Sequence, residues 1–157
     1  MELLYRGTRD GTSANIFHNK CDNKGPTICL YKNEKGNIFG GYASISWTSP
    51  SSSCYKSGNG CFLFTLTNIY GTEPTKFPNT NQNNAVCHNS SLGPVFGSAF
   101  NLNICGDYLN GTESYALIGG SYNDYQDVLG KGHSVFSGDV NTNHFKLKEL
   151  EVFKVYN

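Results

Sequence analysis

"TICLYKNEKGNIFGGYASISW", residues 27–47, sets two runs rich in β-branched and aromatic residues on either side of the break "NEKG". Gly36 closes that break and supplies the positive φ that a four-residue hairpin loop often requires. The stretch predicts an antiparallel β-hairpin. In its second run Gly40 and Gly41 interrupt the apolar pattern, and two residues without Cβ inside a strand mark a bulge or the close approach of another segment.

Working outward, "CFLFTLTN" (61–68) reads as a strand in which Phe62, Phe64 and Leu66 alternate with Leu63, Thr65 and Thr67. "AVCHNSS" (85–91), "PVFGSAFNLNIC" (94–105), "SYALIGG" (114–120) and "HFKLKELEVFKVY" (144–156) supply further strands. In the last of these the apolar set shifts from odd to even positions and back, and a bulge near Lys148 to Glu149 explains the first shift. "SPSSSCYKSGNG" (49–60) reads as a loop, and the polar "NTNQNN" (79–84) as a tip suited to disorder.

Upstream, residues 2–6 form a short strand and "RDGT" turns the chain. Thr12 or Ser13 then caps a helix whose apolar face is Ala14, Phe17 and Cys21. "DNKGP" (22–26) stops it, with Gly25 available for a left-handed turn and Pro26 unable to continue a helix. One helix and roughly eight strands with turn signals between them point to a mainly β fold, a two-sheet antiparallel β-sandwich with one or two short helices.

Composition agrees. Only 15% of the residues are charged, and 13% are aromatic. Gly, Asn, Ser and Thr fill the difference, residues that favour turns and strand rims over helix interiors. The 157 residues fit one domain. Twelve Lys and Arg balance twelve Asp and Glu without a basic stripe, which argues against nucleic acid and anionic membranes as partners. No run approaches the ~18 apolar residues of a membrane span, and "MELLYRG" lacks the pattern of a secretion signal. A cytoplasmic protein with no membrane insertion is expected. Its oligomeric state is left open.

Three groups invite a chemical reading. "HNKCDNKGPT" (18–27) places His18, Cys21 and Asp22 at i, i+3 and i+4, on one side of a helix, where two zinc ligands could sit. Cys29, Cys87 and His88 are available as further ligands, but there is no C-x-x-C pair, and the architectural alternative buries Cys21 and leaves His18 and Asp22 at the helix rim. Cys87 beside His88 cannot be a dyad by adjacency, because neighbouring strand residues point to opposite faces. Glu149 and Glu151 share a face of the terminal strand and read as a solvated acidic rim. The six cysteines, at 21, 29, 54, 61, 87 and 105, are expected as reduced thiols, and the sequons at Asn89 and Asn110 as silent. No catalytic residue, cofactor site or metal site is expected, and the chain is expected not to be an enzyme.

In order along the chain, "LLYRGTRDGTSANIFHNKCDNKGPTICLYK", "GNIFGGYASISW", "FLFTLTN", "HNSSLGPVFG" and "ELEVFKV" resemble the TLDc domain from Leu3 to Val155. The resemblance is nearest to the protist and fungal branch and to the interferon-induced relatives, where a similar F-H-x-K-C-D-x-K-G-P-T stretch joins helix to hairpin. It implies a β-sandwich over residues 1–157 without the helical segment that usually precedes the first strand. It further implies a non-catalytic protein-interaction role tied to oxidative-stress protection and to regulation of the vacuolar proton-pumping ATPase. By it, "HNKCDNKGPT" is a helix-to-strand junction. Where relatives read F-G-G-G-H-D this chain has "FGSAFN" (96–101), so Ser98 to Asn101 alter a loop through which a partner could be held. The alternatives are a thiol-based antioxidant using a reactive Cys and, third, an extracellular disulfide-linked binding domain.

Overall fold

A computed structural model of the chain describes residues 1–119 and 124–156. The chain begins with β1 (Glu2–Arg6), the single turn α1 (Gly7–Asp10) and α2 (Ala14–Cys21). It continues through β2 (Thr27–Asn33), β3 (Ile38–Ala43), β4 (Cys54–Lys56), β5 (Phe62–Thr67) and β6 (Thr75–Pro78). After a 3-10 turn at Gln82–Asn84 come β7 (Val86–His88), β8 (Val95–Phe96), β9 (Leu102–Asn103) and β10 (Ser114–Ala116). The turn α3 (Ser134–Ser137), β11 (His144–Phe145) and β12 (Leu147–Lys154) complete the order. Two six-stranded antiparallel sheets result, β1-β12-β2-β3-β5-β6 and β11-β10-β9-β8-β7-β4.

The hairpin forms as its sequence dictates. Thr27 pairs with Ala43 and Lys32 with Ile38. The loop closes with Gly36 at φ +86°, and the Asn33 side-chain oxygen accepts from the backbone N–H groups of Lys35 at 3.0 Å and Asn37 at 2.9 Å. The Asn33 amide donates onward to the Phe136 and Ser137 carbonyls, so the same side chain ties the hairpin to α3.

Thr27, Cys29 and Tyr31 of β2 and Phe39, Gly41 and Ala43 of β3 face the second sheet and are buried. Close approach explains both glycines. A Cβ on Gly41 would lie 2.5 Å from the Phe96 ring of the opposite sheet, and one on Gly40 only 2.0 Å from the Cys29 carbonyl oxygen. Between the sheets, Trp47 stacks edge-on to Phe17 at 5.9 Å and to Phe96 at 5.6 Å, and Phe39 meets Phe145 at 5.2 Å. Edge-to-face pairs at these distances are the favoured aromatic geometry.

The bulge in the last strand is present: Leu147 pairs with Asn33 and Glu149 with Lys32, leaving Lys148 as the extra residue. The return shift at Phe153 is not a second bulge. Leu150 and Val152 face the core, and Phe153 lies on the outer face of the first sheet.

Several expectations need correction. There are twelve strands rather than eight among the described residues, because segments as short as Val95–Phe96 or His144–Phe145 carry no readable periodicity. "PVFGSAFNLNIC" is two strands with a turn between them. "HFKLKELEVFKVY" crosses from the second sheet to the first at Lys146. In "SYALIGG" only Ser114–Ala116 is strand, and Gly120 lies outside the described residues. Part of the 49–60 loop is the edge strand β4. The "NTNQNN" tip is an ordered turn, since the Asn79 and Asn81 side-chain amides donate to the Asp124 backbone carbonyl and carboxylate.

Candidate interaction surface

The residues of "HNKCDNKGPT" do not converge on one point. Ser13 caps α2 by accepting from the Ile16 N–H, and Phe17 and Cys21 then enter the core with no exposure at all. His18 is buried rather than at the rim, at 5% exposure, because the 89–92 loop closes over it. Its Nδ1 lies 2.8 Å from the Asp22 carboxylate, and its Nε2 lies 2.9 Å from the Asn89 carbonyl and 3.0 Å from that of Leu92. Both ring nitrogens are thereby spent on joining helix to loop. Cys21 belongs to the hydrophobic core, and no cluster of three metal-ligating side chains exists among the described residues. Asn23 and Gly25, at φ 59° and 87°, turn the chain, and Asp22 bridges to Trp47 on the way into β2.

All six cysteines are free thiols. Burial pushes Cys21 well above the ordinary thiol range and Cys29 up to about 12, and it also raises Cys87. Such thiols are poor nucleophiles. Cys54 and Cys105 alone keep partial exposure. In the β4–β7 register Cys54 opposes His88 and Tyr55 opposes Cys87, so Cys54 and Cys87 stand on opposite sheet faces. His88 donates to or accepts from the Thr48 hydroxyl at 2.7 Å, and burial, reinforced by Lys56, holds its pKa down to about 4.

Around "FGSAFN" the chain is anchored from beneath. Gly97 (φ +82°) leaves room for the Asn101 side chain, which is fully buried and donates to the Leu117 carbonyl at 2.6 Å. The Ser98 backbone and hydroxyl both donate to the Asp124 carboxylate. Phe100, at φ 52°, turns outward and its ring lies 6.5 Å from that of Tyr55. Tyr55 is 44% exposed on β4, the edge of the second sheet. The altered loop is thus held by several hydrogen bonds close to β4, the edge strand of the second sheet, with the Tyr55 and Phe100 rings side by side. Sequence reasoning singled out the loop but missed β4, whose three residues sit in a Ser-rich stretch without alternation.

Glu149 and Glu151 do lie together on the outer face of the first sheet. The Thr8 backbone N–H and hydroxyl donate to Glu149, and the Arg6 guanidinium pairs with Glu151 at 2.5 Å. They tie α1 and β1 to β12. Among the described residues no helix is long and apolar enough to cross a membrane.

Comparison with known proteins places this architecture. The profile of the TLDc domain matches residues 1–156. A curated relative, MTOR-associated protein MEAK7 of Danio rerio, is 34% identical over 64 residues, which are 41% of this chain and 14% of the relative. The aligned part therefore spans only a small share of that protein's own length. With the family profile matched along almost the entire sequence, the chain belongs to the TLDc domain family.

Proposed function

We propose that this chain is a non-catalytic TLDc-type interaction domain that docks a protein partner in the cytoplasm through the β4 edge and the adjoining 97–101 loop. The observation that carries the reading is the exposed Tyr55 on the edge strand β4 with the Phe100 ring beside it, in a loop tied down through Ser98, Asn101 and Asp124. Aromatic anchors on a preorganised surface are what interface hot spots are made of. Membership of the TLDc family supports the finer proposal that the partner is a subunit of the vacuolar proton-pumping ATPase and that the docking contributes to oxidative-stress protection. The relative named for its association with MTOR supports a role in protein assembly. Affinity capture from the native cell with wild type and with Tyr55→Asp tests it. Wild type should recover an ATPase subunit and the variant should lose it while melting unchanged. No stable partner for the wild type refutes the reading.

The second reading, thiol-based peroxide chemistry, draws on Cys54 and Cys105, the two cysteines with solvent access. It requires one of them to react with peroxide or an alkylating agent far faster than free cysteine at neutral pH. Equal rates remove it.

A further inference from the structure

The dipeptide Asn–Gly occurs twice in the chain, at Asn59–Gly60 and Asn110–Gly111, and the fold treats the two in opposite ways. Asparagine before glycine is a place where a chain can attack itself. The backbone nitrogen of the second residue adds to the side-chain amide carbon of the first, and glycine puts no Cβ in the way. The rate turns on whether the two groups are free to meet.

Asn59 and Gly60 form the tip of the turn between β4 and β5, and both are exposed. Gly60, at φ +78°, is required by the turn, and nothing lies within 4 Å of where its Cβ would stand. Neither the Asn59 side chain nor the Gly60 N–H makes a hydrogen bond among the described residues. The flanks are fixed. The Gly58 N–H donates to the Gln82 carbonyl at 3.0 Å, and the carbonyl of buried Cys61 accepts from the Asn79 N–H at 3.3 Å. The tip can therefore rearrange while the strands on either side keep their places.

Asn110 is held instead. Its side-chain amide donates to both carboxylate oxygens of Asp107, at 3.0 and 3.2 Å, and the Gly111 N–H donates to the Asp107 backbone carbonyl at 3.0 Å. Asp107 is itself fixed, accepting from the Thr12 hydroxyl at 2.7 Å and bridging to Ser13. Both reacting groups must give up these bonds before they can meet.

We infer that Asn59 is a site of spontaneous deamidation and that the fold protects Asn110. The Gly60 nitrogen bonds to Cγ of Asn59 and gives up its proton to water, and the side-chain nitrogen leaves as ammonia. A second water opens the resulting succinimide ring at one carbonyl or the other, leaving aspartate or isoaspartate. Either product places a new carboxylate just past the end of β4 and takes the chain from zero formal net charge to one negative charge. Isoaspartate also lengthens the backbone by a methylene, which the open space at Gly60 accommodates. An exposed isoaspartate of this kind is a substrate for a protein isoaspartyl methyltransferase, with S-adenosylmethionine as the methyl donor.

Prolonged incubation of the whole folded chain in warm, mildly alkaline buffer tests it, followed by anion-exchange chromatography and peptide mass spectrometry. A more acidic form should accumulate, converted at Asn59, and that same peptide should take up label from S-adenosylmethionine and an isoaspartyl methyltransferase. Conversion at Asn110 should lag by at least about tenfold, the rate factor that one hydrogen bond held against the reaction supplies. Asn59→Gln should suppress the acidic form. Asp107→Ala, with folding checked by its melting curve, should bring Asn110 up toward the rate of Asn59. In urea the two sites should convert alike. An Asn59 that stays intact, or equal rates at the two sites in the folded chain, overturns the inference. A difference that survives unfolding does so too, since its cause would lie in the local sequence and not in the fold. None of these results touches the β4 surface, which the partner capture tests separately.

Discussion

Replacing Gly41 by valine tests the packing that joins the two sheets. A Cβ at Gly41 would lie 2.5, 2.7 and 2.8 Å from three carbons of the Phe96 ring. Carbon atoms settle at about 3.5–4 Å, so the ring must retreat by about 1 Å. It has nowhere to go: Phe96 is fully buried, edge-on to Trp47 at 5.6 Å and to Tyr125 at 6.3 Å. Overpacking of this kind costs about 1 to 3 kcal/mol, with valine's two further methyl groups favouring the upper end. For a domain of this size that lowers the melting temperature by about 3 to 10 °C. Calorimetry or urea denaturation followed by near-UV dichroism reads the change. Because the strain runs through one ring, a Gly41→Ala/Phe96→Leu cycle should be non-additive by about 1 kcal/mol or more. Partner binding should fall only as far as the folded fraction falls. A Gly41→Val protein that melts within about 1 °C of wild type, or an additive cycle, refutes the reasoning; unchanged melting with lost binding would move the glycine pair to an interface.

Other consequences follow from buried polar groups. Asn33→Ala removes the donor to the Phe136 and Ser137 carbonyls and the acceptor for Lys35 and Asn37, and should cost about 2 to 4 kcal/mol in chemical denaturation. The folded chain holds the His88 pKa near 4 by burial, below the ~6.5 of an unfolded histidine. The unfolded state therefore takes up the proton first, and stability should decline as pH falls from about 6.5 to 4, by up to about 3 kcal/mol, then level off for this group. His88→Gln should flatten that part of the pH–stability curve. Asp124→Ala frees the Ser98 N–H and hydroxyl, so hydrogen exchange at Ser98 should accelerate well before global stability changes, while Asn101 keeps its place beneath Gly97.

Local chemistry determined much of this protein. The 27–47 hairpin, a cap at Thr12 or Ser13, the end of α2 at the head of "DNKGP" and the bulge near Lys148 are short-range features, set by φ preferences, capping and periodicity within a few residues. They were legible because the interactions that fix them lie close in sequence. The order of such segments was also enough to point to the family. What only the tertiary structure decided depends on distant partners. Val95–Phe96 and Cys54–Lys56 are strands because neighbouring strands supply their hydrogen bonds, not because two or three residues prefer to extend. His18 is buried because a loop more than seventy residues away offers it two carbonyls. Gly40 and Gly41 posed a question that sequence could only leave open between a bulge and a close approach, and the answer lies in the Cys29 carbonyl and the Phe96 ring. Phe153, Ile28 and Phe62 read as ordinary strand residues until the sheet order sets them side by side on one outward face. Alternation along a strand says that a side chain has a face, and only the packing of the sheets says whether that face is covered.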